Sequence, residues 1–251
     1  MPGPAVDGIE AIFFDMNGTL RLRQVHGPTQ RAAFARITAL LDKPHLSAAD
    51  WQRLNERFEA YRRWTLETLE QLSEEEIWTK WILPNEPGEK IAPMAAELML
   101  AWSARKGRAV PQPGAQETLA ELQHRGYRLG VISNTMSSLD IPYSIEQFGW
   151  SAYFEVVILA CGVKARKPAS GPYLEATCAL RVAPTACAYV GNRFIKDITG
   201  CKQAGFALGI LIENPGQPAE SHPSGSPDLV IHSLGELLTI FPVRVHRASE
   251  T

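Results

Sequence analysis

Four stretches of this 251-residue chain place chemistry-bearing side chains directly after short apolar runs. Asp15 follows IEAIFF within FFDMNGTL, and Ser133 and Asn134 end YRLGVISN. Lys167 stands in VKARKPAS after FEVVILACG; Asn192 follows ACAYVG, with Asp197 five positions later. A carboxylate can attack an electrophilic centre or hold a cation, and a strand-end hydroxyl beside backbone N–H groups can hold phosphate or carboxylate oxygens. A lysine turned inward can neutralise an anion and the attacking carboxylate. Taken singly, each of these residues is an ordinary cap, turn or solvated surface residue. Four successive occurrences at the ends of apolar runs make one shared cleft more economical than unrelated caps.

The elements that must position them follow from the runs themselves. Continuous apolar segments closed by Gly-containing turns predict buried strands of a parallel sheet with helices on both faces, beginning with IEAIFFD and recurring at YRLGVISN, FEVVILACG, ACAYVGN, FALGILIE and PDLVIHS. Ligands of open parallel sheets gather beyond the carboxyl ends of the strands, which is where the polar residues stand. Helical patterning lies between them at GAQETLAELQHRG, SGPYLEATCAL and IKDITGCKQAG. Residues 25–108 differ: PTQRAAFARITALL, SAADWQRLNERFEAYRRWTLETLEQL, SEEEIWTKWIL and IAPMAAELMLAWSARKG all read as helices, with no convincing strand. Ser73 and Glu76 form a capping box, and Pro28 and Pro93 stand near helix starts. The expected organisation is an α/β core of residues 1–24 and 109–251 interrupted by a helical insert over 25–108. Five of the six tryptophans fall in that insert, where their first role is to join amphipathic helices. Repeated Pro and Gly argue against a coiled coil, and the Pro-, Gly- and Ser-rich stretch from Asn214 to Asp228 reads as a loop between late strands. The closing HRASET is expected to fray.

Composition narrows the classes of partner. With 25 Lys plus Arg against 27 Asp plus Glu, the formal charge of -2 gives no positive excess to draw the chain onto nucleic acid. No run reaches 18 apolar residues and MPGPAVDG lacks a basic n-region, so a cytoplasmic protein without membrane span or signal peptide is expected. The four cysteines contain no CxxC pair and read as reduced, mostly buried hydrophobes. His26 reads as a turn residue, the other histidines show no compact metal spacing, and neither GxGxxG nor GxxxxGK[ST] occurs. Arg21 and Arg23 read as surface charge or as a clamp for a substrate carboxylate.

FFDMNGTL, VISNT, RKP and YVGNRFIKDITGCKQAG, in that order, resemble the ordered motifs of the haloacid dehalogenase (HAD) superfamily, in particular members with a helical cap inserted after the first motif. The resemblance covers about residues 9–213 and implies a Rossmann-like α/β core with an α-helical cap. It implies Asp15 as nucleophile, Ser133 and Asn134 as substrate contacts, and Lys167 as electrostatic stabiliser and substrate contact. It further implies Mg2+ held by Asp15, the main-chain carbonyl of Asn17, Asn192 and Asp197. The substrate class implied is a small anionic or phosphorylated metabolite. Two positions depart from the phosphatase pattern. Asn17 replaces the second Asp, the usual general acid–base, and an amide does not exchange a proton near neutral pH. Asn192 stands where GD is common, giving a neutral oxygen in place of a carboxylate. The expectation is a specialised or weak phosphatase on a phosphomonoester or acyl phosphate, in which an Asp at position 17 would restore proton transfer. A metal-free 2-haloacid dehalogenase, whose halide needs no proton, and a catalytically degenerate anion-binding protein are the alternatives. Neither oligomeric state nor the identity of the substrate follows from these residues.

Overall fold

A computed structural model describes residues 6–214 and 225–244. Its strands are β1 (Ala11–Phe14), β2 (Arg21–Gln24), β3 (Arg108–Pro111), β4 (Arg128–Ser133), β5 (Phe154–Leu159), β6 (Cys187–Gly191), β7 (Leu208–Ile212) and β8 (Leu229–Ile231). Six of them form one parallel sheet in the order β5-β4-β1-β6-β7-β8. The chain builds outward from β1 through β4 to β5, then crosses back to β6 and builds the other way. That is the doubly wound Rossmann order, and its switch point lies between β1 and β6.

All four residues of β1 are buried because both faces of the sheet are covered. Ile12 and Phe14 join one core with Leu119, Leu122 and Ile141, whereas Ala11 and Phe13 join another with Tyr173, Leu180 and Phe206. This two-residue alternation is the pleat of a central strand. The principal helices are α1 (Gly27–Leu40), α2 (Ala48–Thr68), α3 (Ala95–Ala104), α4 (Ala115–His124), α5 (Asp140–Gln147) and α6 (Gly171–Leu180).

The inserted segment is helical, with a core of its own built on Leu54, Phe58, Tyr61, Trp78, Leu98 and Trp102. Phe58 stacks on Trp102 at 3.8 Å between ring centroids and meets Trp78 edge-on at 5.3 Å. Trp51, Trp64 and Trp81 pack around that core, so the tryptophans join helices as expected. Ser73 and Glu76 form the expected capping box, as do Ser47 and Asp50 at the start of α2. His26 caps α1 by accepting from the Thr29 N–H.

The insert leaves and re-enters the core through an antiparallel ribbon of β2 and β3, which pairs Arg21 with Pro111 and Gln24 with Arg108. A second seam lies at the end of α2. There Arg166 N donates to Leu69 O and Gln71 N to Lys164 O, at 2.9 and 3.2 Å, and the Glu74 carboxylate accepts from Ser138 N and Oγ. The insert is therefore tied to the core on both sides of the strand ends.

Two expectations need correction. Of the cysteines, Cys187 and Cys201 are buried, but Cys161 is half-buried and Cys178 exposed; all four are unpaired. Arg21 is neither surface charge nor open to a substrate, because it is fully buried. Its Nη2 donates to Asp140 Oδ2 at 2.5 Å, Nη1 donates to Ser144 Oγ and to Asp140 O, and Arg23 grips the same carboxylate at 2.6 and 2.7 Å. The loop expected over Asn214–Asp228 lies largely outside the described residues, as does the C-terminal HRASET. No described helix is long and apolar enough to cross a membrane.

The Arg21–Asp140–Arg23 clamp ties ribbon β2 to helix α5. Burial works against the Asp140 carboxylate, but the two arginines outweigh it and hold its pKa below the ordinary value. A depressed carboxylate pKa contributes stability that is present above about pH 4 and lost as pH falls through the lower folded value. Asp140→Asn is expected to cost about 2–3 kcal/mol at neutral pH, since a charge-assisted bond to a buried guanidinium is lost. Urea unfolding of wild type and variant at pH 7 and pH 3 checks this, with the gap between them narrowing at the lower pH.

Candidate active site

Asp15 is the first residue beyond β1, and its N–H still bonds to Val190 O at 2.9 Å, so its carboxylate emerges at the switch point. The chain then coils tightly: Leu20 N and Arg21 N both donate to Met16 O, and Gly18 turns with φ of 87°. A Cβ at Gly18 would collide with the Asn192 amide, which follows β6. Glycine is thus required both for the turn and for the close approach of the two strand ends. Gly191 has a parallel function, because a Cβ there would overlap the Asp197 side chain, which enters on the turn Phe194–Thr199.

Lys167 joins these ends. Its side chain is 2% exposed, and Nζ lies 2.7 Å from Asp15 Oδ1 and 2.7 Å from Asp197 Oδ1. Nζ is also 2.9 Å from Ile132 O and 2.5 Å from the Tyr189 hydroxyl, which itself donates to Ile132 O. Burial alone would lower the lysine pKa, but Asp15 and Asp197 outweigh it and raise the value, so the ammonium is charged at neutral pH. Asp197 is pushed up mainly by burial and further by Asp15, with Lys167 opposing. Its other oxygen accepts from Arg193 N at 2.9 Å. Burial, followed by the charges of Asp197 and Asp15, drives the Tyr189 phenol well above its usual range, so it remains a neutral hydroxyl.

The structure brings Asp15, Lys167 and Asp197 into direct contact, with Asn192 against Gly18. Ser133 ends the neighbouring strand β4, and its buried Oγ has no hydrogen-bond partner among the described residues. An unsatisfied buried hydroxyl at a strand end suits a ligand oxygen. Asn134 uses both ends of its amide on Lys167: Oδ1 accepts from Lys167 N and Nδ2 donates to Lys167 O, each at 2.9 Å. It fixes the main chain from which the lysine projects. The Asn17 side chain is also engaged, since Oδ1 accepts from Arg21 Nε at 3.0 Å. Tyr189 and Asp140 were not singled out by sequence. Tyr189 reads there as one more apolar strand residue, and Asp140 has no local signature.

The oxygens that the resemblance assigns to a metal are hard donors: the Asp15 carboxylate, the Asn17 main-chain carbonyl, the Asn192 amide and Asp197. That donor chemistry fits Mg2+. Among the described residues no three His, Cys, Asp or Glu side chains group as a metal site. The set would therefore depend on two carboxylates, each already giving one oxygen to Lys167. Two carboxylates and one ammonium leave a formal charge of -1, which a divalent cation would reverse to +1 and so favour an anionic substrate.

The model of the haloacid dehalogenase-like hydrolases matches residues 9–205, most of the chain and all of these positions. The chain belongs to this family. As a haloacid dehalogenase-like hydrolase it is 30% identical to a phosphoglycolate phosphatase of Nitrosococcus oceani over 62% of this chain and 68% of that one. It is also 30% identical to a phosphoserine phosphatase of Thermus thermophilus, over 57% and 56% of the two chains. A glyceraldehyde 3-phosphate phosphatase of Methanothermobacter thermautotrophicus is 34% identical over 44% and 48%. The chain thus spans about two thirds of the first relative and about half of the other two. Among solved structures, a HAD phosphatase from Thermococcus onnurineus superposes with a TM-score of 0.58 at 21% identity, over 92% of this chain and 97% of that one. A 2-haloacid dehalogenase from Pseudomonas syringae pv. Tomato gives a TM-score of 0.64 at 21% identity, over the same shares. At these identities the likeness concerns the hydrolase fold, which phosphatase and dehalogenase share.

Proposed function

We propose that this hydrolase is a phosphatase of small anionic metabolites, with Asp15 as nucleophile, and that it works best on substrates whose leaving group needs little protonation. The observation that carries the reading is Lys167 Nζ held 2.7 Å from both Asp15 and Asp197. A buried ammonium fixes the direction of the Asp15 carboxylate and lies beside the centre where phosphoryl charge develops. The phosphatases among the relatives support the same class.

In this mechanism an Asp15 oxygen bonds to phosphorus as the bond to the leaving oxygen breaks, and water then attacks the phosphoaspartyl group to release inorganic phosphate and regenerate the carboxylate. Ser133 donates to a phosphoryl oxygen and Lys167 balances the charge. Asp15, the Asn17 carbonyl and Asn192 would hold Mg2+, backed by Asp197, and the bound ion would supply positive charge to the transferring group. The core of residues 1–24 and 109–251 carries this chemistry and the cap of residues 25–108 governs entry to it.

Asn17 sets the leaving-group preference. A positioned acid–base group is worth about 10² to 10⁴ in rate, and an amide cannot supply it. Its contact with Arg21 changes the expected effect of restoring a carboxylate. An Asp at position 17 would face Arg21 Nε, which stabilises the anion and makes it a poor acid. Asn17→Asp is therefore expected to raise turnover of an alkyl phosphate by less than about tenfold, well short of that full range.

The test is a rate comparison on an alkyl phosphate, acetyl phosphate and a 2-haloacid, with and without Mg2+. The expected result is phosphate release from acetyl phosphate well ahead of the alkyl phosphate. Metal-independent halide release without phosphate release would replace this reading with dehalogenation.

A further inference from the structure

We infer that the substrate carries a second anionic group, a phosphate or a carboxylate, which seats against Arg166 and Lys196 on the cap side of Lys167. The inference rests on the phosphatase reading for the reacting end and identifies what must stand at the other end.

A cavity of about 320 Å³ opens between the end of α2 and the Lys167 loop, and Lys167 itself is in its wall. That size lies at the small end of metabolite pockets. Its wall includes the apolar Leu66, Leu69 and Ile195 and the cations Arg166, Arg193 and Lys196. Arg166 and Lys196 are only partly exposed. Among the described residues neither Arg166 nor Lys196 lies within ion-pair distance of a carboxylate. Arg166 Nη1 donates to the neutral Gln71 side chain, and its main chain is fixed to Leu69 across the seam between cap and core. Asp197, next in sequence to Lys196, already gives both oxygens to Lys167 and Arg193 N.

The surroundings make this arrangement costly without an anion. Arg166 and Lys196, two cations in the wall of one partly buried cavity, repel each other, whereas an anion between them gains charge-assisted hydrogen bonds. A larger cavity, about 770 Å³, lies elsewhere, over the paired Arg23 and Asp140, and its wall includes neither Asp15 nor Lys167. The smaller cavity has in its wall Lys167, whose Nζ lies 2.7 Å from Asp15. A metabolite with an anion at Arg166 and Lys196 and a short carbon chain along Leu66 and Ile195 would carry its phosphoryl end past Lys167 to Asp15.

The experiment compares propyl phosphate, 3-phosphopropionate and propane-1,3-bisphosphate. Steady-state rates are measured on wild type and on Arg166→Gln/Lys196→Gln, and calorimetric binding on the same pair carrying Asp15→Asn. Wild type should favour at least one doubly anionic probe about ten- to hundredfold in KM and Kd. The double variant should lose that preference, with propyl phosphate changed by no more than about twofold. The more favoured probe tells carboxylate from phosphate. Equal affinity of wild type for all three, or an equal loss on all three in the variant, overturns the inference. If the double variant does not fold, the same comparison on Lys196→Gln alone decides. Preferential binding without turnover of any probe would leave the anion seat standing and remove the phosphatase reading. Turnover without preference would do the reverse.

Discussion

Asp15→Asn is expected to reduce phosphate release by at least about 10⁴-fold while leaving the protein folded, because the proposed reaction loses its nucleophile. Asn keeps the shape of Asp and an acceptor oxygen at the position that faces Lys167 Nζ. The amide oxygen cannot form the acyl phosphate that the carboxylate forms. One of two negative charges around the ammonium is removed, so Lys167 retains Asp197 as its ion pair. Binding of a phosphorylated ligand should persist or strengthen, since repulsion between Asp15 and the phosphoryl group is gone. The check is single-turnover phosphate release beside calorimetric binding in wild type and variant. Equal residual rates in the two proteins would show that the observed turnover does not pass through Asp15.

Much of this site is legible in the sequence for a specific physical reason. A central parallel strand is apolar on both faces, so its end is marked sharply by the first polar residue, and Asp15, Ser133 and Asn192 are such residues. The Rossmann order puts β1 between β4 and β6, which turns positions more than 100 residues apart into neighbours. The helical insert is equally visible, since its tryptophans recur on amphipathic patterns that need one another for burial.

What escapes the sequence is pairing across distance. Ribbon β2–β3 consists of two four-residue segments, RLRQ and RAVP, whose strand character comes from each other across the whole insert. The buried state of Arg21 depends on Asp140, 119 positions away, and no window around Arg21 contains its counter-charge. An arginine in a polar alternation looks solvated until its partner is known. The same holds for Asn134, whose position suggests a ligand contact although both ends of its amide hold Lys167. In each case the residue type was visible but the atom that satisfies it was not.

Lys167→Met should produce the largest combined loss of stability and activity. Asp15 is 8% exposed and Asp197 1%, so removing the ammonium leaves two buried carboxylates facing each other without a counter-charge. Removing one partner of a buried ionic cluster costs about 3–5 kcal/mol. For a chain of this length that corresponds to a fall in Tm of roughly 6–20 °C. Turnover should fall by about 10²–10³-fold in the fraction that remains folded, as the charge beside the reacting phosphoryl group is gone. The pH dependence separates this account from a mere packing defect. In wild type the lysine pKa is raised by its carboxylates, so its stabilisation is fully present below the unfolded value of about 10.4 and lost as pH rises through the folded value. In Lys167→Met the unpaired Asp197 takes up a proton more readily than in the unfolded chain, so stability should rise as pH falls from 7 towards 5. Thermal melts of the two proteins at pH 5, 7 and 9 should therefore show the smallest gap at pH 5. Adding Asp197→Asn to Lys167→Met should recover part of the lost Tm at pH 7 without restoring turnover, because it relieves the repulsion but returns no positive charge. A gap independent of pH, with no recovery in the double variant, would mean that Lys167 contributes by filling space and not by balancing charge.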